Sequence, residues 1–305
     1  MKDNELFDPT LLSLLPDTEF LTASPLAGGL TNRCWKLSLY HPSKKQSAHY
    51  VWRPLTTITQ VFGVNRTLEY QLLRIVEDSE LAPKPYALLD TNSNNNDQVL
   101  IVDWLEGEQA DQRFTDQQLC QLQARIHALP LPTHRLDIKQ RIEHYWQTIP
   151  DDLKSKQLMS IYHYFDKQKI SNYFPDTCCH FDLGRYNIIV QNRGRESHFA
   201  LDNAKVIDWE YASAGDPSFD LTMTILANAL SPEKAVQDYC LAREESDITL
   251  VSTEVLKWLE AVNYWQPWCE YLALLWYLVG YQVWHDDEYL RQAKQLELKL
   301  KQMAT

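Results

Sequence analysis

The segment His180-Phe-Asp182-Leu-Gly-Arg-Tyr-Asn187 has the form H-x-D-x-x-x-x-N and runs into the apolar Ile188-Ile-Val190. Twenty-six residues beyond Asp182 stands Asp208, within Val206-Ile-Asp-Trp-Glu-Tyr211, and Gly215-Asp-Pro-Ser-Phe-Asp220 follows. These residue types suit phosphoryl transfer. One carboxylate orients a substrate hydroxyl and accepts its proton. A second carboxylate and an amide oxygen hold Mg2+, which spreads the charge of the transferring phosphate. Asp182, Asn187 and Asp208 supply that set. An Asp followed by an Asn also occurs in ordinary turns. Here apolar strand residues accompany both arms, and Asp-Trp-Glu-Tyr comes at a fitting distance.

The elements that position these residues are readable from periodicity. Cys34 to Tyr40 alternates as a half-buried strand does, His41 to Gln46 is a turn, and Tyr50-Val-Trp-Arg53 is the return strand. Thr67 to Val76 places Leu68, Leu72, Leu73 and Val76 at helical spacing. A second strand pair flanks the polar tip Thr91 to Asp97, and its continuous apolar run Val99 to Val102 predicts a central strand. A short crossover follows at Asp103 to Gln109. From Thr115 the pattern is helical, apart from a hairpin predicted from Asn187 to Val190 and Lys205 to Asp208. That hairpin brings both arms of the candidate site to one point. After Asp220 the chain reads as helix to its end.

The chain has 305 residues, with 29 Lys plus Arg against 41 Asp plus Glu, a formal charge of −12. That balance argues against a nucleic-acid binder, which needs surplus cations to neutralise phosphates. It suits a cationic substrate. No secretory signal is legible at Met1 to Leu15, and the most apolar stretch, Tyr271 to Val283, is too short to span a bilayer. A buried helix and no membrane partner are expected. The six cysteines form no C-x-x-C and read as small buried hydrophobes in a reducing, cytoplasmic setting.

On these residues the chain resembles the aminoglycoside phosphotransferase and choline kinase superfamily, relatives of the protein kinases, from about Leu26 to the C-terminus. The resemblance implies an α+β, protein-kinase-like two-lobed fold. Residues 1–103 would form a β-rich nucleotide-binding lobe, and 104–305 a helical lobe with the catalytic loop and the substrate pocket. It implies Asp182 as catalytic base, Asn187 and Asp208 as Mg2+ ligands, and ATP as donor, although GTP serves parts of the superfamily. Leu26-Ala-Gly-Gly-Leu-Thr-Asn32 sits where the family folds a glycine-bearing hairpin over the phosphates, which assigns Gly28, Gly29 and Asn32 to the nucleotide. Arg66 and Glu69 match an R-x-x-E helix motif, with Glu69 the partner of the phosphate-binding cation. That cation is Arg53, where protein kinases carry Lys; choline kinase-like branches commonly have Arg. Ile101-Val-Asp-Trp-Leu-Glu-Gly107 resembles the hinge that holds adenine, through Asp103 and Leu105. No A-P-E-like segment follows Asp208, which points to a small-molecule acceptor.

Trp258, Trp265, Trp268, Trp276 and Trp284, with Glu270, Asp286, Asp287 and Glu288 nearby, suit a quaternary ammonium or thiazolium cation. Most of these Trp residues pack helices; Leu275-Trp276 resembles the element of choline kinases that faces the cation. Glu210 and Asp216 are the carboxylate candidates for the same pocket. Trp265-x-Pro-Trp268 followed by Trp276, and Ala82-Pro-Lys-Pro85, resemble bacterial thiamine kinases. The expected acceptor is therefore thiamine, with choline or ethanolamine second and an aminoglycoside third. Thiamine and choline share an alcohol and a permanent charge, so pocket chemistry does not separate them. A nucleotide-binding pseudokinase is the reading from another class, and the intact Asp182, Asn187 and Asp208 speak against it.

Overall fold

A computed structural model of the chain describes residues 7–26, 33–90, 98–191, 200–243 and 248–303. Its first sheet contains β1 (Glu19–Pro25), β2 (Trp35–His41), β3 (Gln46–Pro54), β4 (Pro85–Asp90) and β5 (Gln98–Asp103). The strands are antiparallel, in the order β1-β2-β3-β5-β4. Alternation in β2 and β3 buries Leu37, Leu39, Tyr50 and Trp52 in one cluster with Val99, Ile101 and Leu89. Pairing of Trp52 with Ile101 and of Arg53 with Leu100 sets the register. A one-residue slip would exchange the faces of Trp52 and Arg53, taking Trp52 out of that cluster.

The strand β1 is absent from the sequence reading, which began the sheet at Cys34. Its residues are almost all exposed, so no alternation marks it. The segment holding Gly28, Gly29 and Asn32 consequently falls between β1 and β2; these three residues lie outside the described residues. After β3 come a short helix α1 (Thr57–Val61) and α2 (Arg66–Val76). The Asn65 side chain caps α2 by accepting from the Leu68 N–H at 3.0 Å. Leu72, Leu73 and Val76 are buried on α2, and so are Arg66 and Glu69.

The predicted hairpin is present, shorter than expected. It consists of β8 (Ile188–Val190) and β9 (Ala204–Val206), paired Ile188 to Val206, with the two-residue β6 (Glu108–Gln109) on the other side of β8. Asp208 is not a strand residue. It adopts a left-handed conformation, φ 64°, and leads into a 3-10 turn at Trp209–Tyr211. Asp tolerates that region better than most side chains because it can bond locally.

Packing divides the chain into two compact units that do not follow chain order. One takes residues 1–60, 64–111 and 186–211, so the β8–β9 hairpin belongs with the five-stranded sheet. The other takes 61–63, 112–185 and 212–305. It contains α3 (Asp116–His127), α4 (Ile138–Thr148), α5 (Lys156–Lys167), α6 (Pro217–Ala227), α7 (Pro232–Arg243), α8 (Ile248–Trp284) and α9 (Asp287–Lys301), and one antiparallel pair, β7 (Thr177–Cys179) with β10 (Ser213–Gly215). A reciprocal capping box between Thr115 and Gln118 starts α3. Aromatic faces fill its interior, with Trp258 stacked on Phe174 at 4.0 Å and Phe165 on Tyr271 at 4.4 Å. All six cysteines are buried and none forms a disulfide. Among the described residues no helix is long and apolar enough to cross a membrane.

Candidate active site

In the sheet-bearing unit, β3 delivers Arg53, the first turn of α2 delivers Arg66 and Glu69, and the turn after β9 delivers Asp208 and Glu210. Arg53 Nη2 lies 2.5 Å from Asp208 Oδ1, 3.1 Å from Glu69 Oε1 and 3.4 Å from Glu210 Oε2. Arg66 Nη1 lies 2.5 Å from Glu69 Oε2 and 3.2 Å from Glu210 Oε2. Arg66 Nη2 also donates to the Pro54 carbonyl at 3.4 Å. Two guanidinium groups thus face three carboxylates. The Asp208 side chain is 26% exposed, whereas those of Glu69 and Glu210 are each 2% exposed. Burial works against the Arg53 charge, yet Glu69 and Asp208 outweigh it and hold its pKa well above the ordinary arginine value. Burial, with Asp208 beside it, pushes the Glu210 carboxyl up to about 7.

Register sets Asn187 near Asp208. It immediately precedes β8, Asp208 lies just past β9, and the Asn187 carbonyl accepts from the Ile207 N–H at 2.8 Å. Both residues therefore stand at the same end of one hairpin. At the end of β5, the Asp103 N–H donates to the Lys84 carbonyl at 2.9 Å and the Trp104 N–H to the His49 carbonyl at 3.0 Å. Among the described residues, no acceptor lies opposite the Leu105 N–H. Burial pushes the Asp103 carboxyl up, with Lys84 pulling the other way.

In the helical unit, the loop carrying Asp182 is anchored by Asp220 of α6, which is fully buried. The Asp220 carboxylate accepts from the His180 N–H at 2.9 Å, the Phe181 N–H at 2.7 Å and Gln123 Nε2 at 2.7 Å, and lies 3.0 Å from His127 Nε2. His180 is itself buried, and its Nδ1 accepts from the Asp182 N–H at 3.3 Å. Phe181 holds a left-handed conformation, φ 62°, a strained one for a bulky side chain. Its ring reaches Gly215 so closely that a Cβ there would sit 2.6 Å from Phe181 Cζ. The ring also lines a cavity of about 260 Å³ and has room to give way. Gly215→Ala is therefore expected to destabilise by only about 1 kcal/mol. Because Phe181 precedes Asp182, turnover should fall more, by about tenfold. Thermal melting and steady-state kinetics check the two effects separately.

A sequence profile of the phosphotransferase enzyme family matches residues 64–249, well over half of the chain. The chain belongs to that family. It is accordingly an enzyme, a phosphotransferase. The thiamine kinases of Escherichia coli O6:K15:H31 and Shigella dysenteriae serotype 1 are each 23% identical to it over 213 residues, 70% of this chain and 69% of theirs. Among solved structures, the choline kinase LicA from Streptococcus pneumoniae superposes with a TM-score of 0.62 at 17% identity, covering 98% of this chain and 99% of that one. LicA in complex with AMP gives 0.64 at 17% identity, covering 97% and 96%. These likenesses establish the fold, the protein-kinase-like α+β architecture expected from the sequence.

Several residues of the phosphotransferase have partners that the sequence left unspecified. Glu210, expected to face the substrate, buries its carboxylate against Arg53 and Arg66. Asp216, expected in the same role, is 4% exposed and fully engaged. Its Oδ2 accepts from the N–H groups of Tyr173 and Phe174 at 2.6 and 3.3 Å, and its Oδ1 caps α6 through Ser218. Trp276 packs among Phe62, Trp284 and Tyr289, with Phe62 at 5.4 Å. Arg66, Gln123, His127 and Asp220 carry structural work that the sequence reading gave to none of them. The signal for two was present, in the R-x-x-E spacing and in the end of the Gly215 to Asp220 segment.

Proposed function

We propose that this phosphotransferase moves the terminal phosphate of ATP to the hydroxyl of a small cationic alcohol, with thiamine as the first candidate. The observation that carries the reading is the cluster of Arg53, Glu69, Asp208, Glu210 and Arg66. Its most exposed carboxylate is Asp208, with the oxygen-bearing Asn187 at the same hairpin end. Hard oxygen donors fit a divalent cation such as Mg2+. Arg53 fits the phosphate side, since its Nε is buried with no hydrogen-bond partner among the described residues. Mg2+ bound at Asn187 and Asp208 would supply charge neutralisation at the phosphate oxygens.

The protein's own residues account for the remainder. Asp182, on a loop fixed at its backbone, orients the acceptor hydroxyl and takes its proton. Arg53, held by Glu69, offsets phosphate charge. The Leu105 N–H and the Asp103 backbone edge hold adenine, with Gly28, Gly29 and Asn32 over the phosphates. Glu210 acts through the two arginines it holds. Trp276 and Asp216 serve the acceptor pocket, Asp216 by fixing its wall. The cavity of about 260 Å³ beside Phe181, with Asp137, Asn172 and Asp216 among its lining residues, is small for a ligand pocket. The thiamine kinase relatives favour thiamine as the acceptor.

The test is ADP release with Mg-ATP and thiamine, choline, ethanolamine or an aminoglycoside at equal low concentration. Preference for thiamine supports the reading as stated. Preference for choline keeps the site residues and replaces the acceptor. ATP binding without ADP release from any of them would overturn the reading in favour of a nucleotide-binding module.

A further inference from the structure

The loop after Asp182 is held as firmly as the loop before it, and by the same helix. Asp220, in the first turns of α6, grips the N–H groups of His180 and Phe181. Asn228, at the C-cap of α6, grips the other side. Its Nδ2 donates to the Leu183 carbonyl at 2.9 Å and to the Thr224 carbonyl at 2.8 Å, and its Oδ1 accepts from the Arg185 N–H at 3.1 Å. One primary amide thereby satisfies a carbonyl and an N–H that flank Gly184. Gly184 closes back on the loop, its N–H donating to the Asp182 carbonyl at 3.0 Å. The Arg185 side chain is tied down in turn, Nε to the Phe114 carbonyl at 2.9 Å and Nη2 to Asp116. Asp182 therefore lies between two clamps set by the two ends of α6.

The way α6 ends supports a dedicated role for this residue. Ala229 follows Asn228 in a left-handed conformation, φ 51°, which a glycine would adopt without strain. That conformation stops the helix and leaves Asn228 facing the loop.

We propose that Asn228 is a positioning residue for phosphoryl transfer, setting the backbone path from Leu183 to Arg185 and through it the aim of the Asp182 carboxylate. The inference rests on Asp182 being the base. An amide is the group this position needs, because it must donate to one backbone group and accept from another at once. A carboxylate accepts only, and a methyl group does neither.

The test uses the full chain with Asn228→Ala, Asn228→Asp and, in parallel, Asp182→Asn. Kinetics are run with Mg-ATP and the best acceptor of the four alcohols. Both Asn228 variants are expected to lose about 10- to 100-fold in kcat, with the KM for ATP nearly unchanged, as misaimed catalytic groups do. Asn228→Asp should recover towards wild type as pH falls, because its protonated carboxyl can again donate to the Leu183 carbonyl; the ratio of variant to wild-type kcat reads this. Hydrogen exchange of the catalytic-loop peptide, which needs no acceptor, should quicken at Arg185 in Asn228→Ala while the His180 and Phe181 amides stay protected. Unchanged exchange at Arg185, or wild-type kcat in both Asn228 variants beside an inactive Asp182→Asn, overturns the proposal alone. An active Asp182→Asn overturns the base assignment and the proposal with it.

Discussion

Asp182→Asn is expected to lower kcat about a thousand-fold, while leaving the KM for ATP and the melting temperature nearly unchanged. The physical case is that this loop is held by its neighbours. The Asp182 backbone is held at its N–H by His180 and at its carbonyl by Gly184, while Asp220 and Asn228 bind the residues on either side. Replacing the carboxylate with an amide of the same shape keeps that scaffold. What it removes is the acceptor for the proton that leaves the substrate hydroxyl, a contribution of about 10²- to 10⁴-fold where a positioned base is used. Steady-state kinetics and a thermal melt on the same preparation decide the matter. Retention of more than about a tenth of the turnover would be too small a loss for a general base and would remove Asp182 from that role.

The sequence exposes local patterns and hides the pairings made across long separations. The H-x-D-x-x-x-x-N loop, the alternation in β2 and β3 and the apolar arms of the β8–β9 hairpin are all visible within a few residues of chain. The strand β1 was not, because both its faces are solvated and nothing imposes a period of two. The anchoring of the loop that carries Asp182 was not, because Asp220 reaches back 97 residues to Gln123 and 93 to His127. Glu210 illustrates the difference most directly. Its position beside Asp208 identifies a carboxylate near the site, but its orientation depends on where α2 packs. In the fold it turns toward Arg66 and stands as the third carboxylate of an ion cluster. Asp216 follows the same logic, since the Tyr173 and Phe174 amides that claim it are more than forty residues away.

Substitution of Arg53 separates the charge from the shape of the guanidinium. Arg53→Met removes the cation that Glu69, Asp208 and Glu210 share, and breaking a buried ion pair by removing one partner costs about 3–5 kcal/mol. A lowered melting temperature and loss of turnover are both expected. Arg53→Lys should behave differently, because the three ion pairs of Arg53 all converge on one nitrogen, Nη2. An ammonium placed near that atom keeps the charge among the same carboxylates, so the fold should persist. The planar fork is lost, and with it the second set of donors that a phosphate would meet. Turnover at saturating acceptor should then fall about tenfold, or ~1.4 kcal/mol of barrier, with the KM for ATP rising. If the lysine variant instead melts as early as the methionine variant, the fork itself holds the cluster. Arg53 would then be a structural residue that excludes lysine on packing grounds, and the phosphate-binding role would pass to another cation of the site.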